Sequence, residues 1–143
     1  MFGKKKNEIL VDHRLAYCVS LTTRRHGVYI KREEVEKKFP EGDPPKTTRE
    51  LNAFLAEKKL EANPINISID DFKDKNFVFP CAVPFTNGQS IIALSVLKKD
   101  DDYFIKYLDP LDPQARQQEV GINEFEKLWK NIVISVNALR GIE

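Results

Sequence analysis

The chain has 143 residues, of which 41% are hydrophobic and 31% are charged, a composition typical of one soluble globular domain with its own core. Lys and Arg total 23 against 22 Asp and Glu, a formal net charge of +1, which argues against a general DNA- or RNA-binding protein. No apolar run approaches the roughly 20 residues of a membrane-spanning helix, and the lysines near the start are not followed by the apolar stretch of a signal peptide.

The first half of the chain has the apolar spacing of helices. Gly27 is expected to end the first of them, because glycine readily adopts the left-handed conformation found after helix C-termini. Thr47 followed by Glu50 is the pattern of a capping box and marks the start of the third. The predicted helices are Ile9 to Arg25, Lys31 to Phe39, and Thr47 to about Leu60.

In the second half of the chain, the apolar residues have the spacing that is typical of β-strands. Pro64 lacks an N–H group, so its strand is expected at a sheet edge, and Asn87-Gly88 is a strong hairpin signal. Strands are predicted at 62–67, 77–85, 90–97, 103–108, near 119 and at 132–136, with short helices at 68–72 and 122–129. Helices packed on one side of an antiparallel sheet make an α+β domain. We expect one domain over 1–143, with an ordered core at about 9–137 and a flexible basic N-terminus at 1–8.

The two cysteines, Cys18 and Cys81, lie in apolar runs and lack the spacing of a disulfide framework or a zinc site. We interpret them as reduced core thiols and expect no metal and no cofactor. His13 lies on the same predicted helix as Cys18 and His26 directly follows it, but their offsets keep both rings away from the thiol. A hydrolase that uses Cys18 as its nucleophile is therefore not expected.

Four segments, in this order and spacing, carry a family resemblance. They are Cys18 to Gly27, Phe79 to Val83, Asn87 to Leu94, and Tyr103 to Pro110. From Asp12 to Val136 the chain resembles the bacteriocin-processing cysteine peptidase domain at the N-terminus of some ABC exporters. It is most similar to the degenerate version in type I secretion exporters of repeats-in-toxin proteins. The resemblance implies a papain-like fold.

The active family opens its first helix with an Asp-Cys-Gly-x-x-Cys pattern, in which the first cysteine is the nucleophile and the second is structural. Cys18 matches the second cysteine. The resemblance then implies that Arg14 stands at the nucleophile's position and His13 at the aspartate's. The glutamine of the oxyanion hole would fall near Glu8.

The resemblance also implies positions for the base and the orienting carboxylate. The catalytic histidine begins the strand after the hairpin, where this chain has Ser90, and the carboxylate corresponds to Asp109. A guanidinium stays protonated and cannot be a nucleophile, and serine cannot replace imidazole as a base near neutral pH. We therefore expect no peptidase activity. Asp109 also fits a simple turn starter before Pro110, and the segment at Arg14 also fits a solvated helix start.

The resemblance implies a non-catalytic domain that binds an unfolded export substrate before translocation. That substrate is expected to carry calcium-binding repeats, and the exporter to supply transmembrane and nucleotide-binding domains at the cytoplasmic face of the bacterial inner membrane. We expect no nucleic acid partner. The candidate substrate-binding residues are His13, Arg14, Arg24, Ser90 and Asp109.

Two alternatives remain open. One is an active cysteine peptidase that cleaves a leader peptide, and the other is a structural docking domain of the exporter. The chain is either one domain of a longer exporter or a free-standing protein.

Overall fold

A computed structural model describes residues 8–139 and has the predicted α+β architecture. The predicted flexible segment falls, except for residue 8, outside the described residues. The helices are α1 (His13–Thr22), α2 (Arg32–Lys38), α3 (Thr48–Ala56), α4 (Ile69–Phe72) and α5 (Ile122–Leu128), and a 3-10 turn, Thr23–His26, follows α1. The strands are β1 (Leu10–Val11), β2 (Lys46–Thr47), β3 (Leu60–Asn66), β4 (Cys81–Val83), β5 (Ile91–Lys99), β6 (Asp102–Leu108), β7 (Gln117–Gly121) and β8 (Ile132–Ala138). Within residues 8–139, no helix is both long and apolar enough to cross a membrane.

Six strands form one antiparallel sheet in the order β3-β8-β4-β5-β6-β7. Among the described strands, β8 comes last in the chain, and it lies between β3 and β4 and pairs with both. Pro64 lies in β3 at the edge, as predicted. The strands β1 and β2 pair separately, a small sheet that the sequence did not predict.

The alternation of side chains along the strands divides the core into two layers. Ala82, Ile92 and Ile134 pack with α1, α2 and α3 on one face. Their neighbours in sequence point to the opposite face, where Phe72 of α4 and Phe125 of α5 pack. The expectation that all helices lie on one side is therefore wrong: two short helices cover the second face.

The helix ends are set by local hydrogen bonds. The carboxylate of Asp12 accepts the N–H of Leu15 at 2.9 Å, so α1 begins at His13 and not at Ile9. The predicted capping box is present: the hydroxyl of Thr47 accepts the N–H of Glu50, whose carboxylate accepts the N–H of Thr47. Gly27, at φ 75°, ends the 3-10 turn as predicted.

The apolar run at 77–85 is only partly a strand. Cys81–Val83 pairs in the sheet, and the Phe79–Pro80 peptide bond before it is cis. The rings of Phe77 and Phe79 lie 5.2 and 5.5 Å from that of Phe72. The run is apolar because its first part fills the aromatic layer and its second part forms a central strand.

Candidate functional site

Arg14 lies in the first turn of α1 and contacts residues that flank two strands of the sheet. Its Nε–H donates to the backbone carbonyl of Ser90, just before β5, at 2.7 Å. Its Nη2 lies 3.3 Å from Oδ1 of Asp109, just after β6. The structure thus brings together three of the five candidate residues, through one guanidinium.

Asp109 has two partners at this point. Besides facing Arg14, its Oδ1 accepts the N–H of Leu111 at 2.9 Å, the bond of an Asx turn. The residue therefore begins the turn after β6 and also faces the guanidinium. The Asx turn agrees with the turn-starter interpretation, and a role of Asp109 in substrate binding stays a prediction.

A cleft of about 500 Å³ lies beside the Arg14–Asp109 pair. Much of its wall is apolar and comes from β5, β6, β7, α5 and the hairpin before β5. The apolar wall consists of Phe85, Ile91, Tyr107, Val120, Phe125 and Leu128. This surface suits an extended segment with apolar side chains.

The charges of the cleft balance. Arg14 and Lys127 are countered by Asp109 and Glu124, and two glutamines, Gln89 and Gln118, complete the polar wall. Among the described residues that line it, none is a cysteine or a histidine. The cleft therefore offers neither a net positive field nor a thiol–imidazole pair.

The other two candidates lie away from the cleft. His13 is buried and turned toward α2, where its Nδ1 lies 2.8 Å from the carbonyl of Phe39. Arg24 is exposed beyond the far end of α1, and its guanidinium lies 5.2 Å from the centre of the Tyr29 ring. Neither lines the cleft, whereas Arg14 and Asp109 do. Ser90 is buried beside it and contacts Arg14 through its backbone carbonyl.

Both cysteines are core thiols. Cys18 is fully buried and Cys81 is 1% exposed, and burial raises the pKa of each thiol well above its usual range. The two histidines bind backbone carbonyls instead: His13 that of Phe39, and His26 that of Val136 at 2.9 Å. Burial thus disfavours the thiolate that a nucleophilic Cys18 would need, and both histidines contact backbone carbonyls within residues 8–139.

Sequence reasoning missed most of the cleft wall. Tyr107 and Gln118 are paired across β6 and β7, and the phenol lies 3.3 Å from the amide oxygen. Val120 also lies on β7, and Leu128 ends α5. Only the pairing of β6 with β7 shows which side chains meet at the cleft.

The chain is similar to several proteins of known structure or family. A model of the peptidase C39 family matches residues 12–139. A double glycine motif protease from an AMS/PCAT transporter, solved in complex with the leader peptide, is 12% identical, with 96% of each chain covered and a TM-score of 0.67. No match was found among curated proteins.

Two further solved structures share the architecture. The peptidase domain of Streptococcus ComA, a bifunctional ABC transporter involved in a quorum-sensing pathway, is 15% identical over 92% of this chain and 98% of that one, with a TM-score of 0.66. The N-terminal peptidase C39-like domain of the toxin secretion ATP-binding protein from Vibrio parahaemolyticus is 14% identical over 91% and 99%, with a TM-score of 0.62. At such identities the likeness establishes the fold, and the papain-like fold expected above is confirmed.

Proposed function

Because the chain belongs to the peptidase C39 family, we propose that it is a non-catalytic member that binds the unfolded substrate of a type I secretion ABC exporter before translocation. Such a domain has lost cleavage and has kept the binding of an extended chain.

The observation that carries the proposal is the guanidinium of Arg14 held between Ser90 and Asp109. By the resemblance, these are the places of the nucleophile, the base and the orienting carboxylate. A guanidinium is always protonated, donates only, and has no lone pair to attack a carbonyl. Here it also contacts the carbonyl of Ser90 and the carboxylate of Asp109. This arrangement supports substrate binding without cleavage of a peptide bond.

The apolar wall of the cleft supports the retention of binding. An unfolded chain exposes apolar side chains that a folded one buries, and an extended segment can place alternate side chains on such a surface. The balanced charges of the cleft make apolar contact, rather than attraction of acidic repeats, the main source of affinity. That affinity is expected to be modest, since ordering a disordered partner opposes binding.

The solved relatives support the proposed setting. One is a transporter protease whose structure includes a leader peptide, and another is the N-terminal domain of a toxin secretion ATP-binding protein. We infer from them that this domain works beside transmembrane and nucleotide-binding domains, at the cytoplasmic face of the bacterial inner membrane. The proposed substrate carries calcium-binding repeats that stay unfolded before export.

The test is an NMR titration of the domain with the exporter's own repeat protein, once calcium-free and once calcium-folded. Shifts confined to the calcium-free titration and clustered at Arg14, Tyr107 and Val120 are expected. Shifts elsewhere would keep the receptor role and reject the cleft. The absence of shifts with either form would favour the structural docking domain.

A cleavage assay tests the remaining alternative, an active cysteine peptidase. The domain is incubated with peptides that span a double-glycine leader, and the products are analysed by mass spectrometry. Intact peptide is expected, because the described residues of the cleft include no thiol. Cleavage that is lost in Cys18→Ala would reject the non-catalytic proposal and establish an active peptidase.

A further inference from the structure

Three potential metal ligands meet on the side of α1 that faces α2, away from the cleft. They are His13 from the first turn of α1, Glu36 from α2, and Glu41 from the loop that follows α2. One ligand atom from each lies within 4.8 Å of the other two. The sequence predicted no metal because these residues come from separate elements and lack the short spacing of known motifs.

The imidazole of His13 is 7% exposed, and its Nε2 has no hydrogen-bond partner within the described part of the chain. Its other nitrogen, Nδ1, lies 2.8 Å from the carbonyl oxygen of Phe39. Since a carbonyl only accepts, Nδ1 carries the proton, and in the neutral ring Nε2 then presents a lone pair. A backbone carbonyl that fixes the tautomer in this way is the usual support of a metal-binding histidine.

A carboxylate lies close to that nitrogen. Nε2 lies 3.4 Å from Oε2 of Glu36, so the ring nitrogen and the carboxylate oxygen, both acceptors in this state, face each other. A buried nitrogen without a partner opposite carboxylates is unfavourable by itself. A cation between these atoms would satisfy all of them.

We propose that His13, Glu36 and Glu41 bind a divalent transition metal ion, with Zn²⁺ the best fit. One imidazole and two carboxylates form a three-ligand set of the kind that leaves a fourth position for water. Zinc–nitrogen and zinc–oxygen bonds of about 2.0–2.2 Å in a tetrahedron place ligand atoms about 3.3 Å apart. The His13–Glu36 spacing already matches that figure, and Glu41 is exposed, on a loop where its side chain is free to turn inward.

One neighbouring cation opposes binding. Nε of Arg32 lies 3.8 Å from the same Oε2 of Glu36, and its guanidinium lies 5.1 Å from the ring centre of Tyr17. Because like charges repel, neutralising Arg32 is expected to tighten metal binding. Metal binding would join the start of α1 to α2 and its following loop, and so hold the helical layer behind the cleft.

The test uses the whole chain, stripped of metal with a chelator and titrated with Zn²⁺ by calorimetry and with Co²⁺ by visible absorption. Glu41→Gln removes an exposed ligand and should fold normally. It is expected to lower the Zn²⁺ affinity at least about tenfold, since even loss of an outer-shell partner weakens metal sites by about 10–100-fold. The matched control is Glu33→Gln, an exposed glutamate on α2, which should leave the affinity unchanged. Arg32→Met should raise it.

NMR of the histidine ring nitrogens gives a second readout that does not depend on a variant. The chain has 2 histidines, so His26 is an internal control. The proposal expects Zn²⁺ to shift Nε2 of His13 while the signals of His26 stay unchanged. Equal Zn²⁺ affinity in wild type and Glu41→Gln, no binding in wild type, or shifts at His26 alone would overturn it.

Discussion

The guanidinium of Arg14 and the carboxylate of Asp109 lie 3.3 Å apart, and both side chains line the same cleft. The pair joins the helical layer to the sheet, since Arg14 belongs to α1 and Asp109 follows β6. The Arg14 side chain is only 15% exposed and that of Asp109 is 36% exposed. The contact is therefore screened less than a surface ion pair, and it fixes the wall next to the cleft.

Arg14→Met is expected to lower the free energy of unfolding by about 1–2 kcal/mol. It keeps the length of the side chain and removes the Nε–H bond, which leaves the carbonyl of Ser90 without its charged donor. The measurement is urea-induced unfolding, monitored by circular dichroism.

The control for that variant is Asp109→Asn. The amide oxygen can still accept the N–H of Leu111, so only the ion pair is lost, at about 0–1 kcal/mol for a partly exposed pair. A loss in Asp109→Asn as large as that in Arg14→Met would show that the carboxylate, and not the bond to Ser90, holds the arginine.

The double variant Arg14→Cys with Ser90→His tests whether these are the family's catalytic positions. An imidazole beside a thiol lowers the thiol pKa, so alkylation at neutral pH should be about tenfold faster in the double variant than in Arg14→Cys alone. Alkylation rates are measured with iodoacetamide across pH, with mass spectrometry to identify the labelled residue. Equal rates in the two variants would mean that the assigned positions do not face each other.

Much of the fold could be predicted from local chemistry. The capping box at Thr47, the glycine stop at Gly27 and the edge strand at Pro64 each follow from one backbone requirement, and each is present. The start of α1 could not be placed from the sequence, because the apolar periodicity continues back to Ile9. The helix itself begins at His13, where the carboxylate of Asp12 accepts the N–H of Leu15. Periodicity identifies a face, whereas a cap sets a boundary.

Only the part of the candidate site around Arg14 could be proposed from the sequence. Arg14 contacts the carbonyl of Ser90 and the carboxylate of Asp109, but the register that gives these residues catalytic positions came from the resemblance and stays a prediction. Tyr107 and Val120 enter the cleft through strand pairing across β6 and β7, which depends on the whole sheet. His13 faces α2 because Phe39 offers it a carbonyl, and no pattern in the sequence indicates that contact.

The buried thiols give the stability a defined dependence on pH. Burial raises the pKa of Cys18 and Cys81 in the folded state, so both stay protonated there while the unfolded chain loses those protons above about pH 8.5. The folded state therefore has its full stability from these thiols below that pH, and the free energy of unfolding falls as the pH rises further. Urea unfolding of wild type and the double variant Cys18→Ala with Cys81→Ala, at pH 7 and pH 10, measures it. The variant should lose less stability between the two pH values, and an equal loss would contradict the assignment.

Val120→Asp is expected to weaken the binding of calcium-free repeat protein about tenfold or more. The side chain lines the apolar wall on β7, at one edge of the sheet, and a carboxylate there would have to lose water when an apolar segment binds. The matched control is Ile65→Asp, at an apolar and 39% exposed position of β3, the opposite edge strand. Affinities are compared by calorimetry after circular dichroism has shown both variants to be folded. Weakening in Val120→Asp alone places the substrate in the cleft, whereas equal affinities in the two variants would move it to another face of the domain.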